Sequence, residues 1–155
     1  MHVLDSLHIA GISPAVITDV FDTHDYEQNA EIFGANHERV NNGECPHGVY
    51  VSERAWTGEI PYFVSEFGGA RWADESDRAG WGYGNDPKTV EEFIARYDSL
   101  VTALLENPRV CAFCYTQLTD VEQEVNGLYT YDRRAKFPPE YFYKVLTQKA
   151  AIEEE

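Results

Sequence analysis

Basic residues are scarce in this sequence. The 155-residue chain contains 12 lysines and arginines against 27 aspartates and glutamates, which gives a formal net charge of −15. A chain with this excess of negative charge repels phosphate groups. We therefore expect it to bind neither nucleic acid nor an anionic membrane surface.

Long apolar runs are also missing. No stretch approaches the length of about 18 apolar residues that a membrane-spanning helix requires, so the sequence predicts no membrane segment. The N-terminus has no basic segment followed by an apolar one, which predicts that no signal peptide is present. The cellular location stays open.

Cysteines are few, and the three present cannot all pair within the chain. Cys111 and Cys114 form a Cys-x-x-Cys, a spacing found in redox and zinc sites. They lie in an apolar run typical of a buried strand, where residues three apart point to opposite faces. This favours packing over metal binding. Cys45, with His47 nearby, is a weaker metal candidate.

Apolar residues make up 43% of the chain and aromatic residues 14%, as in one folded domain, and we treat residues 1–155 as one unit. The pattern alternates between strand and helix. The strands are predicted at 15–21, 62–65 and 110–116, and the helices at 29–40, at 86–107 and from 139 onward. This order indicates three βα units of a parallel sheet.

The helix over 86–107 has the clearest pattern. From Val90 to Leu105 its apolar residues recur at the i, i+3, i+4, i+7 spacing of one buried face. Asp86 is the predicted N-cap, and Pro87 suits the first helical position.

The strand at 62–65 ends in a carboxylate. Glu66 follows the apolar run directly, and Gly68 and Gly69 then open a loop. Parallel α/β barrels present their catalytic groups at the C-terminal ends of strands, so Glu66 is the first catalytic candidate. The alternative is a strand-end glutamate held in a structural ion pair.

Three motifs, in this order along the chain, resemble glycoside hydrolase family 2, the β-galactosidase and β-glucuronidase group. They are 19–28 (Asp-Val-Phe-Asp-Thr-His-Asp-Tyr-Glu-Gln), 65–69 (Ser-Glu-Phe-Gly-Gly) and 113–129 (Phe-Cys-Tyr-Thr-Gln-Leu-Thr-Asp-Val-Glu-Gln-Glu-Val-Asn-Gly-Leu-Tyr). The resemblance covers about 5–137. It implies an α/β fold that is part of a (β/α)8 TIM barrel, strands six to eight, whose complete form needs about 250 residues.

The resemblance implies that Glu66 is the nucleophile of a retaining β-glycosidase and that Tyr26 hydrogen-bonds to it; a loop tyrosine packed on the rim is the alternative. Such enzymes use a second carboxyl group about 5–5.5 Å away as acid/base. The family places that glutamate after an asparagine on strand four. This sequence has no Asn-Glu dipeptide, and the strand is expected upstream of residue 1. We therefore expect the chain alone to be inactive, and no cofactor or metal is implied.

A second group of residues is expected to contact the carbohydrate substrate. They are His24, Asp25, Trp72, Trp81, Tyr83, Tyr115, Gln117 and Asp120. Seven of them have a structural alternative: a local hydrogen bond for His24 and Asp25, packing for the loop aromatics Trp72, Trp81 and Tyr83, and capping of the loop up to Asn126 for Gln117 and Asp120. Tyr115 stands where many family members have a tryptophan.

The sugar is a weaker inference. β-Glucuronidases of the family carry an Asn-x-Lys-Gly motif that binds the substrate carboxylate, whereas this sequence has Glu-Val-Asn-Gly at 124–127. A glutamate and no lysine in this segment would repel a uronic acid, so β-galactosidase-like substrates rank first. The alternative function is a catalytically inactive partial barrel that forms a homo-oligomer through its open strand edges. An unrelated α/β domain is a third possibility.

Overall fold

The computed structural model describes residues 19–46, 59–72 and 80–154. Its elements are β1 (Phe21–Asp25), α1 (Ala30–Glu38), a 3-10 turn (Arg39–Asn42), β2 (Tyr62–Gly68), α2 (Val90–Leu105), β3 (Val110–Thr116), α3 (Pro139–Leu146) and a last 3-10 turn (Ala151–Glu153). The strands are parallel, in the order β1-β2-β3. The predicted alternation of strand and helix is confirmed. No helix within these ranges is long and apolar enough to cross a membrane.

The core lies between one face of the sheet and the helices. This helix face carries buried side chains from alternate strand positions, and α2 packs against α1, β3 and α3. Its strand residues are Phe21, Thr23, Tyr62, Val64, Phe67 and Val110. The apolar stripe predicted for α2 is buried, since Phe93, Tyr97, Leu100 and Leu104 are all within the core.

An irregularity in β2 determines which of its side chains point away from the core. Thr23 pairs with Val64, but the next residue, His24, pairs with Glu66, so Ser65 is an extra residue in β2. Side chains alternate between faces, and a regular strand would place Ser65 beside His24 and turn Glu66 toward the helices. The bulge at Ser65 therefore brings Glu66 to the face of His24.

The opposite face, which we call the open face, carries Asp22, His24, Phe63, Glu66 and the exposed residues of β3. The prediction that β3 is buried, with Cys111 and Cys114 on opposite faces, is wrong, because both cysteines are exposed. Tyr62 pairs with Val110 and Phe63 with Ala112, so Cys111 is a second extra residue that interrupts the alternation. Cys45 is described, but His47 lies outside the described residues.

Two predicted boundaries need correction. The first strand was predicted at 15–21; residues 15–18 lie outside the described ranges, and β1 runs through the polar segment Phe21–Asp25. Only one of its faces is buried, which is why an apolar run did not mark it. The N-cap of α2 is Thr89, whose side chain accepts a hydrogen bond from the Glu92 backbone N–H. Asp86 instead pairs with Arg71 at 2.7 Å.

Candidate active site

The contact between Tyr26 and Glu66 is the centre of the candidate site. Tyr26 follows β1 directly, and its hydroxyl donates a hydrogen bond to Oε2 of Glu66 in β2. Burial, and then this hydrogen bond, raise the pKa of the Tyr26 phenol, so it remains a donor at neutral pH. The Glu66 side chain is 42% exposed, so the carboxylate is held without being enclosed.

His24 lies beside the same carboxylate. Its Nδ1 is 3.5 Å from Oε2 of Glu66, and its Nε2 is 3.9 Å from Oδ2 of Asp22, two residues earlier on the same face. Asp22 was not predicted as a site residue. Its Oδ1 is buried without a hydrogen-bond partner among the described groups. The imidazole therefore lies between two carboxylates, one buried and one accessible.

Two glycines end β2 next to the site. Gly68 has φ +76° and Gly69 has φ +68°, a backbone region that disfavours side chains. A Cβ on Gly68 would meet the Tyr115 ring, and one on Gly69 would lie 2.7 Å from Cδ2 of Tyr83. Glycine is therefore required at both positions for the turn and for close approach of the aromatic rings.

Three aromatic rings, those of Trp81, Tyr83 and Tyr26, pack in series between the surface and Glu66. The Tyr83 ring lies parallel to the Tyr26 ring, with centroids 3.5 Å apart, and Trp81 contacts Tyr83 edge-on at 5.7 Å. Trp81 is 47% exposed. Backbone hydrogen bonds fix this loop, since the Tyr83 N–H donates to the Gly69 carbonyl. The structure thus brings two of the three predicted loop aromatics to the site.

Gln28 joins the ends of β1 and β2. Its Nε2 donates to the carbonyls of Tyr26, at 3.0 Å, and of Gly68, at 2.6 Å. Arg96 of α2 contacts its Oε1 at 3.4 Å. Sequence reasoning missed Gln28, and its one signal was a polar side chain just after a strand end.

The loop after β3 is held by its own polar groups. Gln117 donates to Oδ1 of the fully buried Asn126 at 2.8 Å. Asp120 accepts from the Gly127 N–H at 2.9 Å and from Nζ of Lys136 at 2.6 Å. These contacts favour the capping alternative for Gln117 and Asp120, and their contact with sugar stays a prediction.

Tyr115 and Trp72 pack against the core. The Tyr115 ring contacts Tyr97 of α2 and Phe67 of β2, with ring centroids 4.9 Å and 5.5 Å apart, on the helix face. Burial raises the pKa of the Tyr115 phenol. The Trp72 ring packs on Phe137, with centroids 5.4 Å apart. Both rings therefore stabilise the helix face of the sheet.

Asp25 also faces the helices rather than the open face. Its Oδ2 accepts a hydrogen bond from Nδ2 of Asn36 at 2.9 Å and lies 3.4 Å from Nε2 of His37. For Asp25 and Trp72 these contacts favour the structural alternatives. The substrate contacts of Asp25, Trp72 and Tyr115 remain predictions. Across the described residues, no group of three or more metal-binding side chains is assembled.

Comparisons with known proteins give a likeness of fold. No family model matches the sequence. No curated protein matches it either. Among solved structures, the chain is similar to a β-glucuronidase of Bifidobacterium dentium, in a complex with coumarin-3-O-glucuronide, with a TM-score of 0.52 and 15% identity.

The match covers 85% of this chain and 21% of the β-glucuronidase chain, so this sequence spans about a fifth of that protein's length. At this identity the likeness shows the fold alone. The mixed α/β structure with three parallel strands is consistent with part of a glycosidase barrel.

Proposed function

We propose that this chain is the C-terminal part of a retaining β-glycosidase barrel and that Glu66 is its nucleophile. The observation that carries the proposal is the hydrogen bond from Tyr26 to Glu66, at the carboxyl ends of neighbouring parallel strands. The fold likeness to a glycosidase supports it. A structural ion pair explains this site less well, because the basic side chain that the structure places beside Glu66 is a histidine at 3.5 Å and not a lysine or an arginine.

The arrangement suits nucleophilic attack on an anomeric carbon. Tyr26 and His24 both contact Oε2, and no described residue bonds to Oε1, which is left for the new bond to carbon. As that bond forms, the glycosidic C–O bond breaks, and the leaving oxygen keeps the bonding electron pair and receives a proton from the acid. A water molecule then gives a proton to the same residue, now the base, and its oxygen bonds to the anomeric carbon. The bond from that carbon to Glu66 breaks, which releases the sugar and restores the carboxylate. By resemblance, the acid/base is a glutamate of the upstream barrel.

The contacts of Lys136 bear on the choice of sugar. Its ammonium donates to Asp120, to the Trp72 carbonyl and to the Val125 carbonyl. An ammonium has three donors, so all are engaged and none remains for a uronate carboxylate. Together with the carboxylate of Glu124, this supports a neutral sugar, with a β-galactoside first.

Hydrolysis of aryl β-galactoside, β-glucuronide and β-mannoside by the full-length protein tests the proposal, beside a Glu66→Gln control. We expect hydrolysis of the β-galactoside that the substitution abolishes, and no hydrolysis by residues 1–155 alone. Activity that survives Glu66→Gln would overturn the assignment of the nucleophile. Activity of the isolated residues would overturn the assignment of the acid/base to the upstream barrel.

A second candidate is a non-catalytic partial barrel that self-associates. The observation that favours it is the edge of β3, which within the described part of the chain pairs only with β2. Light scattering measures the molar mass directly. A monodisperse monomer would exclude this candidate, whereas a dimer that dissociates when proline replaces Ala112 on β3 would support it.

A further inference from the structure

A buried polar network lies behind the site, on the helix face. The Tyr62 hydroxyl is 2.6 Å from Nδ1 of His37 and 3.0 Å from Oγ1 of Thr23, and all three residues are almost fully buried. Nε2 of His37 lies 3.4 Å from Oδ2 of Asp25. Polar groups in a core cost free energy unless they are well paired, and apolar residues here would pack without that cost.

The imidazole in this network is neutral. Burial lowers the pKa of His37 to about 4, against the opposing pull of the Asp25 carboxylate. At pH 7 His37 therefore offers one donor and one acceptor. Its Nδ1 lies within hydrogen-bond distance of the Tyr62 hydroxyl, whereas its Nε2 is buried near Asp25 without a hydrogen-bond partner among the described groups.

Asp25 links the network to the candidate site. It is the last residue of β1, and its Oδ1 accepts a hydrogen bond from the Glu27 backbone N–H at 2.9 Å. This Asx-turn fixes the backbone on both sides of Tyr26. Its Oδ2 is anchored to α1 through Asn36, at 2.9 Å.

We propose that Asp25, anchored by the hydrogen bond from Asn36 of α1, is a positioning residue that holds the Tyr26 phenol on Glu66. The contacts of Asp25 fix the backbone of the turn, and the turn fixes the orientation of the Tyr26 ring. The direction of a hydrogen bond is sensitive to small rotations, and the phenol is at the far end of the Tyr26 side chain. The catalytic consequence rests on the proposed function, whereas the positioning itself does not.

The positioning is tested without activity by 19F NMR of the full-length protein labelled with 3-fluorotyrosine. The resonance that disappears in Tyr26→Phe is that of Tyr26. We expect Glu66→Gln to shift this resonance in the native background and to leave it unmoved in Asp25→Ala, since the two side chains are then uncoupled. A resonance that responds equally to Glu66→Gln in both backgrounds would overturn the proposal.

Two further variants separate positioning from stability. Asn36→Ala removes the hydrogen bond that joins α1 to Asp25. If Asp25→Ala does not fold, the same NMR comparison is made in the Asn36→Ala background. Val40→Ala removes buried apolar volume from the 3-10 turn after α1 and leaves Asp25, Asn36 and Tyr26 themselves unchanged. We expect Val40→Ala to retain the native coupling, and loss of coupling in this variant would show that Asp25 acts only through stability.

The catalytic consequence has its own readout. Asp25→Ala is expected to lower kcat of glycoside hydrolysis about 10- to 100-fold, as loss of one hydrogen bond to a charged group does, with KM little changed. Tyr26→Phe should give a similar decrease, and the double variant no more than either alone. An additive loss in the double variant would overturn the proposal. Should the native protein lack glycosidase activity, the proposed function fails while the NMR result still decides the positioning.

Discussion

The two faces of the sheet are built from alternate residues of the same three strands, and they differ in almost every property. The helix face has Tyr62, Val64 and Phe67 buried in an aromatic core. The open face has His24 and Glu66 partly exposed, in contact with each other. The helix face stabilises the fold through its buried core, and the open face presents the His24 and Glu66 side chains.

The boundary between the faces is set by one residue. Ser65 is the extra residue of β2, and it lets Glu66 and Phe67 point to the open face and the helix face respectively. A strand with strict alternation would bury the carboxylate and expose the phenyl ring. The difference between the faces therefore depends on the bulge as much as on the residue types.

Insertion of one alanine between Thr23 and His24 is expected to have the largest effect. The inserted residue would pair with Ser65 and restore strict alternation, so that Glu66 turns toward the core, where an unpaired carboxylate is very unfavourable. We expect a loss of more than about 4 kcal/mol in the free energy of unfolding, or no stable fold. Urea unfolding measures it, with deletion of Ser65 as the control, because that variant loses the bulge but keeps Glu66 opposite His24. An insertion variant as stable as the deletion variant would show that this register does not decide which face Glu66 occupies.

Phe67 and Phe63 are a matched pair on opposite faces. Phe67 is fully buried and contacts the rings of Phe33 and Tyr115. Phe67→Ala is expected to cost about 3–5 kcal/mol of stability, because it leaves a cavity in the core. Phe63→Ala, on the open face, is expected to cost less than about 2 kcal/mol. Thermal unfolding of the two variants measures both losses of stability. Equal losses would contradict the assignment of the two rings to a buried and an open face.

A buried ion pair and a partly exposed polar pair should also differ in their contributions to stability. The Lys136 and Asp120 side chains are each 7% exposed and meet at 2.6 Å, whereas the His24 and Glu66 side chains are 29% and 42% exposed. Lys136→Met leaves a buried carboxylate and is expected to cost about 3–5 kcal/mol. His24→Gln is expected to change stability by less than about 1 kcal/mol. Denaturant unfolding measures both, and the reverse order would refute the contrast.

The pH dependence of stability is expected to include a contribution from His37 on the helix face. The pKa of His37 is about 4 in the folded chain, below its usual 6.5, because burial disfavours the charged imidazole. Between these values the unfolded chain binds a proton that the folded chain does not, so stability falls as the pH decreases from 6.5 toward 4. The loss from this group is about 3 kcal/mol.

His37→Gln removes this titration and provides the control. The variant should have lower stability at pH 7 but a flatter decrease as the pH falls from 6.5 to about 4, which unfolding curves at a series of pH values measure. An unchanged slope in His37→Gln would mean that other groups cause the acid sensitivity.

The sequence predicted the elements that have a regular apolar pattern and misplaced the strand that is buried on one face. α2 and α3 were predicted because their apolar positions follow the helical period, and β3 because it is apolar throughout. β1 was misplaced because only Phe21 and Thr23 of its residues are buried. A strand that is buried on one face and polar on the other has no continuous apolar run, and such a run is what marked the other strands.

The candidate site was predicted in part. Glu66 and Tyr26 come together as the motifs implied, since each is at or near a strand end. The sequence could not show that Asp25 and Tyr115 face the helices, because that depends on register, which bulges change. Asp22 and Gln28 were missed because their roles come from the neighbouring strand and not from their own sequence context.

The proposed role of Glu66 as nucleophile is tested most directly by trapping a glycosyl-enzyme. The full-length protein is incubated with a 2,4-dinitrophenyl 2-deoxy-2-fluoro-β-galactoside, whose leaving group departs without protonation, and the labelled residue is located by peptide mass spectrometry. We expect one fluoroglycosyl group per chain, on Glu66, and none in the Glu66→Gln variant. A label on any other residue, or equal labelling of the Glu66→Gln variant, would contradict the proposed role of Glu66.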